Sequence, residues 1–201
     1  MVRINQSAQG SARLFFGIDV GDAARSEIQG IISRVSTNSG IKDLKIRWTA
    51  PENLHVTLKF LGDTRTDAIP AIRQAAASVL AGARARPCIL DAWGSFPSGK
   101  GTGVLWASVT GDLRSLAGEL DASLELEGFK REQKPFVGHL TLARSRDARG
   151  LRAALKVLSR LTLNVSFQAT AVTLFASELT PAGPVYRALG RWELNEPSVE
   201  L

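Results

Sequence analysis

A short motif, His-x-Thr-Leu, occurs twice in this chain and contains both of its histidines. The first copy lies within residues 54–61 and the second within residues 138–144. Side chains alternate between the two faces of an extended strand, so His55 shares a face with Thr57, and His139 shares one with Thr141. Each copy therefore predicts a strand with an imidazole and a hydroxyl on one face and an apolar face that packs on a core.

The elements around the two copies repeat in the same order: a helix, the motif strand, a second helix and further strands. Several strand pairs are separated only by tight turns, which antiparallel neighbours permit and parallel ones do not. The pattern favours an α+β fold over a doubly wound parallel sheet, and it indicates a diverged duplication in which each half of the chain supplies one lobe. Hydrophobic spacing predicts helices over 22–39, 69–80, 113–126 and 151–158, and strands over 14–18, 46–48, 54–61, 88–96, 104–109, 136–144, 162–168, 171–177 and 186–192.

A chain of 201 residues that is 44% hydrophobic can bury one sizeable core. We expect a flexible N-terminal tail over residues 1–11 and a single domain over residues 12–201. Cys88 is the one cysteine, which excludes a disulfide framework and fits a reducing cytoplasm. No signal peptide and no apolar stretch of about 20 residues is present, so we expect no contact with a membrane.

The charge balance favours an anionic partner. Lys and Arg number 25 against 19 Asp and Glu, which gives a net charge of +6 and an isoelectric point near 10.0. Nucleic acid is a natural partner for such a chain, although a merely soluble basic protein has the same balance, because no run of like charges forms a basic arm.

Zinc binding and serine-hydrolase chemistry both lack their supporting motifs in this sequence. A zinc site would need cysteine ligands, a His-Glu-x-x-His spacing or a convergent acidic motif, and a serine hydrolase would need Gly-x-Ser-x-Gly, which the sequence around Ser95 does not supply. Residues 98–101 lack the glycine spacing of a phosphate-binding loop, so we interpret 97–103 as a hairpin turn. We expect no metal and no other cofactor.

Two imidazoles and two hydroxyls suit in-line displacement at phosphorus. One imidazole takes a proton from the attacking water while the other gives a proton to the leaving oxygen, and an ordinary pKa of ~6.5 suits histidine to both tasks. The hydroxyls of Thr57 and Thr141 can donate to the non-bridging oxygens. A lone histidine in a strand is more often a packed or solvated residue, but the repeated motif favours catalysis.

At these residues the chain resembles the two-histidine (2H) phosphoesterases, and within them the RNA 2′,3′-cyclic phosphodiesterases, also known as RNA 2′,5′-ligases. The likeness covers nearly the whole chain. Besides the two motif strands it includes the segments Arg13-Leu14-Phe15-Phe16, Arg47-Trp48, Val104-Leu105-Trp106-Ala107, Leu174-Phe175-Ala176-Ser177-Glu178-Leu179 and Gly183-Pro184-Val185-Tyr186.

The resemblance implies a bilobal fold of two pseudo-symmetric lobes, each a mainly antiparallel sheet with flanking helices, around a central cleft. It implies hydrolysis of RNA 2′,3′-cyclic phosphate ends to 2′-phosphomonoesters, with reversible 2′,5′ joining as a weaker activity. By the same resemblance His55 is the proton donor and His139 the proton acceptor, with the reverse assignment open, and Thr57 and Thr141 hold the phosphate. We expect RNA ends or nucleoside 2′,3′-cyclic phosphates as substrates and a monomer with no obligate protein partner.

Four further residues are candidate substrate contacts, each with a structural alternative. Phe16 and Tyr186 could stack on bases, as could Trp48 and Trp106, although core packing is the commoner fate of such rings. Lys59 shares the alternation face of His55 and could neutralise RNA, or it could be an ordinary exposed lysine. Arg144 falls on the face of Leu140 and Leu142 if the strand is regular, so it either reaches the phosphate from the strand end or forms a surface salt bridge.

Two departures from the family pattern concern substrate contacts and rigidity. Gly138 precedes His139 where relatives commonly have proline, so we expect a less rigid approach to that histidine. Residues 101–103 also differ from relatives. Two alternatives to the hydrolase stay open: a non-catalytic module that binds RNA ends, and a 2H phosphodiesterase that acts on another 2′,5′-linked or cyclic nucleotide.

Overall fold

This computed structural model describes residues 10–96, 102–181 and 183–196, which contain nine strands, four α-helices and two short 3-10 helices. The strands are β1 (Ser11–Asp19), β2 (Arg47–Trp48), β3 (His55–Arg65), β4 (Arg86–Phe96), β5 (Gly103–Thr110), β6 (His139–Ser145), β7 (Val165–Ala169), β8 (Ala171–Thr180) and β9 (Gly183–Glu193). The helices are α1 (Gly21–Ser36), α2 (Ile69–Leu80), α3 (Leu113–Leu126) and α4 (Ala148–Leu158).

The helices predicted over 69–80 and 113–126 are confirmed at both ends. The strand predicted over 136–144 is shorter at its start, because pairing begins at His139. Ser11 already belongs to β1, so the sheet takes up the last residue of the expected tail. Residues 1–9 of that tail and most of the predicted 97–103 turn lie outside the described residues.

All named strand pairs are antiparallel, and they run in the order β7-β4-β5-β6-β3-β1-β8-β9, with β2 also paired to β6. The connection between β3 and β6 is a single residue pair, Val56 with Leu140. Strands β3, β1, β8 and β9 lie on one side of this junction and β6, β5, β4 and β7 on the other. The predicted α+β fold with two antiparallel lobes is confirmed.

Each lobe is built from both halves of the chain, so the expectation of one lobe per half is wrong. Helix α1 follows β1 but packs on β7 and α4 in the other lobe, and α3 follows β5 but packs on β3 and α2. Likewise β4, from the first half of the chain, pairs with β5 in the lobe of β6, and β8, from the second half, pairs with β1 in the lobe of β3. The two halves of the chain therefore exchange helices and strands across the junction between the lobes.

A β-bulge follows the threonine in both motif strands. On β3, Gly17 is paired with Thr57 and Phe16 with Lys59, which leaves Leu58 as the extra residue. On β6, Trp106 is paired with Thr141 and Leu105 with Ala143, which leaves Leu142 as the extra residue. An extra residue reverses the alternation beyond it, so both strands exchange their core and cleft faces at the same motif position.

The bulge at Leu58 buries Lys59 in the wall of the cleft, where its charge is compensated within the protein and not by the RNA that we predicted it to contact. Its side chain is only 2% exposed, and its ammonium lies 2.5 Å from a carboxylate oxygen of Asp121 on α3. The ammonium also donates to the carbonyl of Lys130 at 2.7 Å. A buried charge with two such partners stabilises the attachment of α3 to the motif strand, and Lys59 is a structural residue.

We predict that removal of the carboxylate from this pair destabilises the protein strongly. Asp121→Ala should lower the free energy of unfolding by about 3–5 kcal/mol, because it leaves the Lys59 ammonium buried and uncompensated. Urea denaturation measures the change, and Glu119→Ala, which removes an exposed carboxylate from the same helix, is the control. The double variant Lys59→Met/Asp121→Leu should recover most of the loss; an Asp121→Ala variant as stable as the control would contradict this account.

Candidate active site

The junction between the lobes brings the two motifs together. Because β3 and β6 are antiparallel around Val56 and Leu140, the next residues on each strand place His55 opposite Thr141 and His139 opposite Thr57. All four side chains point away from the core-facing pair and line one cleft of about 730 Å³. The structure therefore brings together the four residues that the motifs predict, with an imidazole and a hydroxyl from each lobe.

A backbone carbonyl and its own threonine hold the His55 imidazole. The ring Nδ1 lies 2.8 Å from the carbonyl oxygen of Asn53, and Nε2 lies 3.2 Å from Oγ1 of Thr57. A carbonyl oxygen only accepts hydrogen bonds, so Nδ1 carries the hydrogen, and Nε2 of the neutral ring is free to accept from the hydroxyl. Asn53 is itself fixed, because its side-chain amide donates to the carbonyl of Pro184 at 2.9 Å.

The ring of His55 also lies against an aromatic layer. Its centroid is 4.8 Å from that of Phe15, and Tyr186 meets it edge-on at 5.2 Å. Gly17 makes this approach possible, since a Cβ at that position would lie 3.3 Å from Cδ2 of His55. Packing on two sides and a hydrogen bond at each ring nitrogen fix the orientation of the imidazole.

His139 is held in the same way from the other lobe. Its Nδ1 lies 2.8 Å from the carbonyl oxygen of Val137, two residues earlier, as Asn53 is two residues before His55. The carbonyl again makes Nδ1 the hydrogen-bond donor, so Nε2 is the ring nitrogen that points away from the carbonyl. Phe96 packs against the imidazole edge-on at 5.2 Å. The two motifs thus share the tautomer of the ring as well as their sequence.

Burial makes His55 a weak base in the free protein. Desolvation lowers its pKa to about 4 from an ordinary value of 6.5, and the positive charges of Arg144 and His139 act in the same direction. The hydrogen bond to Asn53 opposes this shift without cancelling it. The His55 imidazole is therefore neutral at neutral pH until an anion arrives. Burial likewise raises the pKa of the neighbouring Tyr186 phenol.

Of the predicted aromatic contacts, Tyr186 and Trp48 line the cleft and Phe16 does not. The Phe16 side chain is fully buried and faces Trp192 in the core, so its prediction as a substrate contact is wrong. The neighbouring residue Phe15, which the sequence reasoning passed over, lies beneath His55 in the cleft. Alternation along β1 puts Phe15 on the same face as Gly17 and Phe16 on the opposite face. The sequence alone does not show that Gly17 faces His55, so it could not tell which of the two rings lies in the cleft.

Arg144 lines the cleft because of the bulge at Leu142. Regular alternation would have placed it on the core face with Leu140, but the extra residue moves Ala143 to the core and Arg144 to the face of His139 and Thr141. Its positive charge contributes to the lowered pKa of His55. The strand is therefore not regular at this point, and of the two alternatives left open for Arg144 the cleft position of a candidate substrate contact is the one observed.

Close packing favours glycine at position 138, a reason that the sequence did not show, while the expected looser approach to His139 stays a prediction. A Cβ on Gly138 would lie 2.9 Å from the carbonyl oxygen of Val109, nearer than real Cβ contacts allow. The carbonyl of Gly138 also accepts a hydrogen bond from the Val109 amide at 3.0 Å. The segment before His139 is therefore pressed against β5.

Two expectations about metals and membranes concern the described ranges alone. Within residues 10–96, 102–181 and 183–196, no three His, Cys, Asp or Glu side chains are grouped so that they could hold a metal ion. In the same ranges, no helix combines the length and apolar character needed to cross a membrane.

Three comparisons with known proteins agree with this geometry. Residues 27–180 match the family model of the 2′-5′ RNA ligase superfamily. A protein of Archaeoglobus fulgidus named RNA 2′,3′-cyclic phosphodiesterase is 31% identical over 186 residues, which is 90% of this chain and 99% of that one. Its namesake from Methanothermobacter thermautotrophicus is 30% identical over 87% of this chain and 94% of its own. The crystal structure of Escherichia coli LigT complexed with 3′-AMP has a TM-score of 0.70 and 26% identity over 92% of this chain and 98% of that one.

We predict that the two imidazoles are distinguishable in a pH titration of the free protein. The chain has only two histidines, so the NMR spectrum should contain two imidazole Hε1 signals, and His139→Ala identifies the one from His55. Because its pKa is lowered, the His55 signal should keep the shift of a neutral ring as the pH falls from 8 to 5.5, with a midpoint at about 4. A midpoint near the ordinary value of about 6.5 would show that the ring is not desolvated.

Proposed function

The chain belongs to the 2′-5′ RNA ligase superfamily, and we propose that it hydrolyses the 2′,3′-cyclic phosphate at an RNA end to a 2′-phosphomonoester. The observation that carries this proposal is the matched pair of imidazoles, each held through Nδ1 by a carbonyl two residues earlier and each beside a threonine hydroxyl in one cleft. The pair offers one proton acceptor and one proton donor on either side of a phosphate.

The proposed reaction is an in-line displacement at the cyclic phosphorus. Nε2 of His139 accepts a proton from water as the water oxygen bonds to phosphorus, and the bond from phosphorus to the ribose O3′ breaks. Nε2 of His55 gives its proton to O3′, which becomes a hydroxyl, and the phosphate stays on O2′. The same steps with a 5′-hydroxyl of RNA in place of water would form a 2′,5′ linkage, and that joining is reversible.

The threonines and the carbonyls support this chemistry in different ways. The hydroxyl of Thr57, which faces His55 Nε2 at 3.2 Å, can turn to a non-bridging phosphate oxygen and release Nε2 for the leaving oxygen. Thr141 occupies the equivalent position on β6. Hydroxyls aimed at the charge that develops on phosphorus stabilise the transition state. The carbonyls of Asn53 and Val137 keep each ring in the tautomer that presents Nε2.

His55 must become protonated when the substrate binds. In the free protein the lowered pKa keeps this ring neutral at neutral pH, whereas a donor has to be protonated. A phosphodiester anion beside the ring stabilises the imidazolium and therefore raises its pKa. Binding of the substrate thus charges the donor, and His139 is the acceptor in the proposed reaction.

The first test is product analysis with a short RNA that ends in a 2′,3′-cyclic phosphate. We expect a 2′-monoester as product and undiminished turnover in EDTA. His55→Ala and His139→Ala should each lower kcat by a factor of about 10²–10⁴, because each removes one proton transfer. Urea unfolding midpoints of the variants exclude loss of the fold as the cause.

Other results would redirect the proposal. A 3′-monoester would reverse the proposed polarity of cleavage. Salt-sensitive binding of the same RNA without turnover would favour a non-catalytic module that binds RNA ends. Turnover of other cyclic or 2′,5′-linked nucleotides with none of this RNA would favour a different substrate class.

A second test separates the roles of the two histidines. In a substrate whose O3′ is replaced by sulfur, the leaving thiolate needs little help from an acid, because thiol pKa values lie far below those of alcohols. The loss caused by His55→Ala should therefore shrink at least about tenfold with the sulfur substrate, while the loss caused by His139→Ala should not. The opposite pattern would assign the donor role to His139.

A further inference from the structure

Two arginines stand side by side at one end of the cleft. The short strand β2 pairs with β6 beyond the lobe junction, and Arg47 is the residue directly opposite Arg144. Both arginines line the cleft, whereas Ala143 beside Arg144 is buried in the core and Trp48 beside Arg47 lies between the core and the cleft. The bulge at Leu142 is what brings Arg144 to this face.

This arrangement lacks a counter-ion within the described part of the protein. Like charges placed opposite each other on neighbouring strands repel and destabilise the pairing. Among the described residues, no carboxylate forms an ion pair with either arginine; Arg114 and Lys134 also line the cleft without an ion pair, but only Arg47 and Arg144 are directly opposite each other on paired strands. An anion from outside the protein would relieve the repulsion, and two planar guanidinium groups suit the oxygens of a phosphate.

The position of the arginine pair relative to the histidines indicates which phosphate it would hold. Thr141 lies opposite His55, and Arg144 is the next cleft-facing residue on β6 after Thr141. The pair therefore lies at the His55 end of the cleft, which agrees with the effect of Arg144 on the His55 pKa. In the proposed reaction His55 protonates the ribose O3′, so in the bound substrate the ribose and the RNA on its 5′ side extend out of the cleft at this end.

We propose that Arg47, together with Arg144, binds the phosphate on the 5′ oxygen of the terminal nucleoside, one phosphate upstream of the cyclic end. This subsite rests on the proposed function and adds a specificity to it. The enzyme distinguishes the end of an RNA chain, which carries that phosphate, from a free nucleoside 2′,3′-cyclic phosphate, which does not. Arg47 touches no reacting atom and acts on binding alone.

The kinetic test compares two substrates that differ only in this group: adenosine 2′,3′-cyclic phosphate with and without a 5′-phosphate. The wild-type protein should favour the 5′-phosphorylated substrate by about tenfold or more in kcat/KM, as a charge-assisted contact allows. Arg47→Gln should abolish this preference and leave kcat/KM for the unphosphorylated substrate within about twofold. The matched control is Arg34→Gln, which removes the same charge from the exposed face of α1 and should keep the preference.

A binding measurement keeps the subsite testable without turnover. By calorimetry, adenosine 2′,5′-bisphosphate should bind the wild-type protein about tenfold or more tightly than adenosine 2′-monophosphate, and Arg47→Gln should remove that difference. Loss of turnover with this binding pattern intact would refute the proposed reaction and keep the subsite. An equal effect of Arg47→Gln on both ligands, or none on either, would overturn the subsite.

Discussion

The pairing of Val56 with Leu140 is the contact on which the active site depends. It is the single backbone pair between the two motif strands, and the strands diverge on either side of it. A longer ladder would have closed the space between the lobes with hydrogen bonds and side chains, whereas no contact at all would have left the histidines unrelated in position. One pair fixes the position of each histidine relative to the threonine of the other strand and still leaves room for a substrate between the lobes.

The two bulges divide each motif strand between catalysis and binding. Up to the threonine, both strands place the same residues in the cleft, and the imidazoles are held by equivalent carbonyls. Beyond the bulge the equivalent cleft positions are Phe60 in one lobe and Arg144 in the other. The pseudo-symmetry thus extends through the groups that would transfer protons and ends where the substrate is asymmetric, with an aromatic ring on one side and a cation on the other.

Much of the fold followed from local patterns, and the errors in the site share one cause. Period and end signals sufficed for α2 and α3, and the repeated motif sufficed for His55, Thr57, His139 and Thr141. Counting by twos then failed for Lys59 and Arg144, because each follows a bulge, and a bulge in leucine-rich sequence has no residue signature of its own. The exchange of helices between lobes was equally invisible, since hydrophobic spacing shows that a helix has a buried face but not which sheet covers it.

The exchange of elements between the lobes also bears on how the chain reaches this fold during synthesis. Strand β1 emerges first, yet one of its two neighbours, β8, lies more than 150 residues later in the chain. Until β8 has been made, β1 has an open edge that could pair with other chains. Such distant pairings slow folding, because the chain between them must be ordered first. The interleaving of the lobes therefore makes each half of the sheet depend on strands from both halves of the chain.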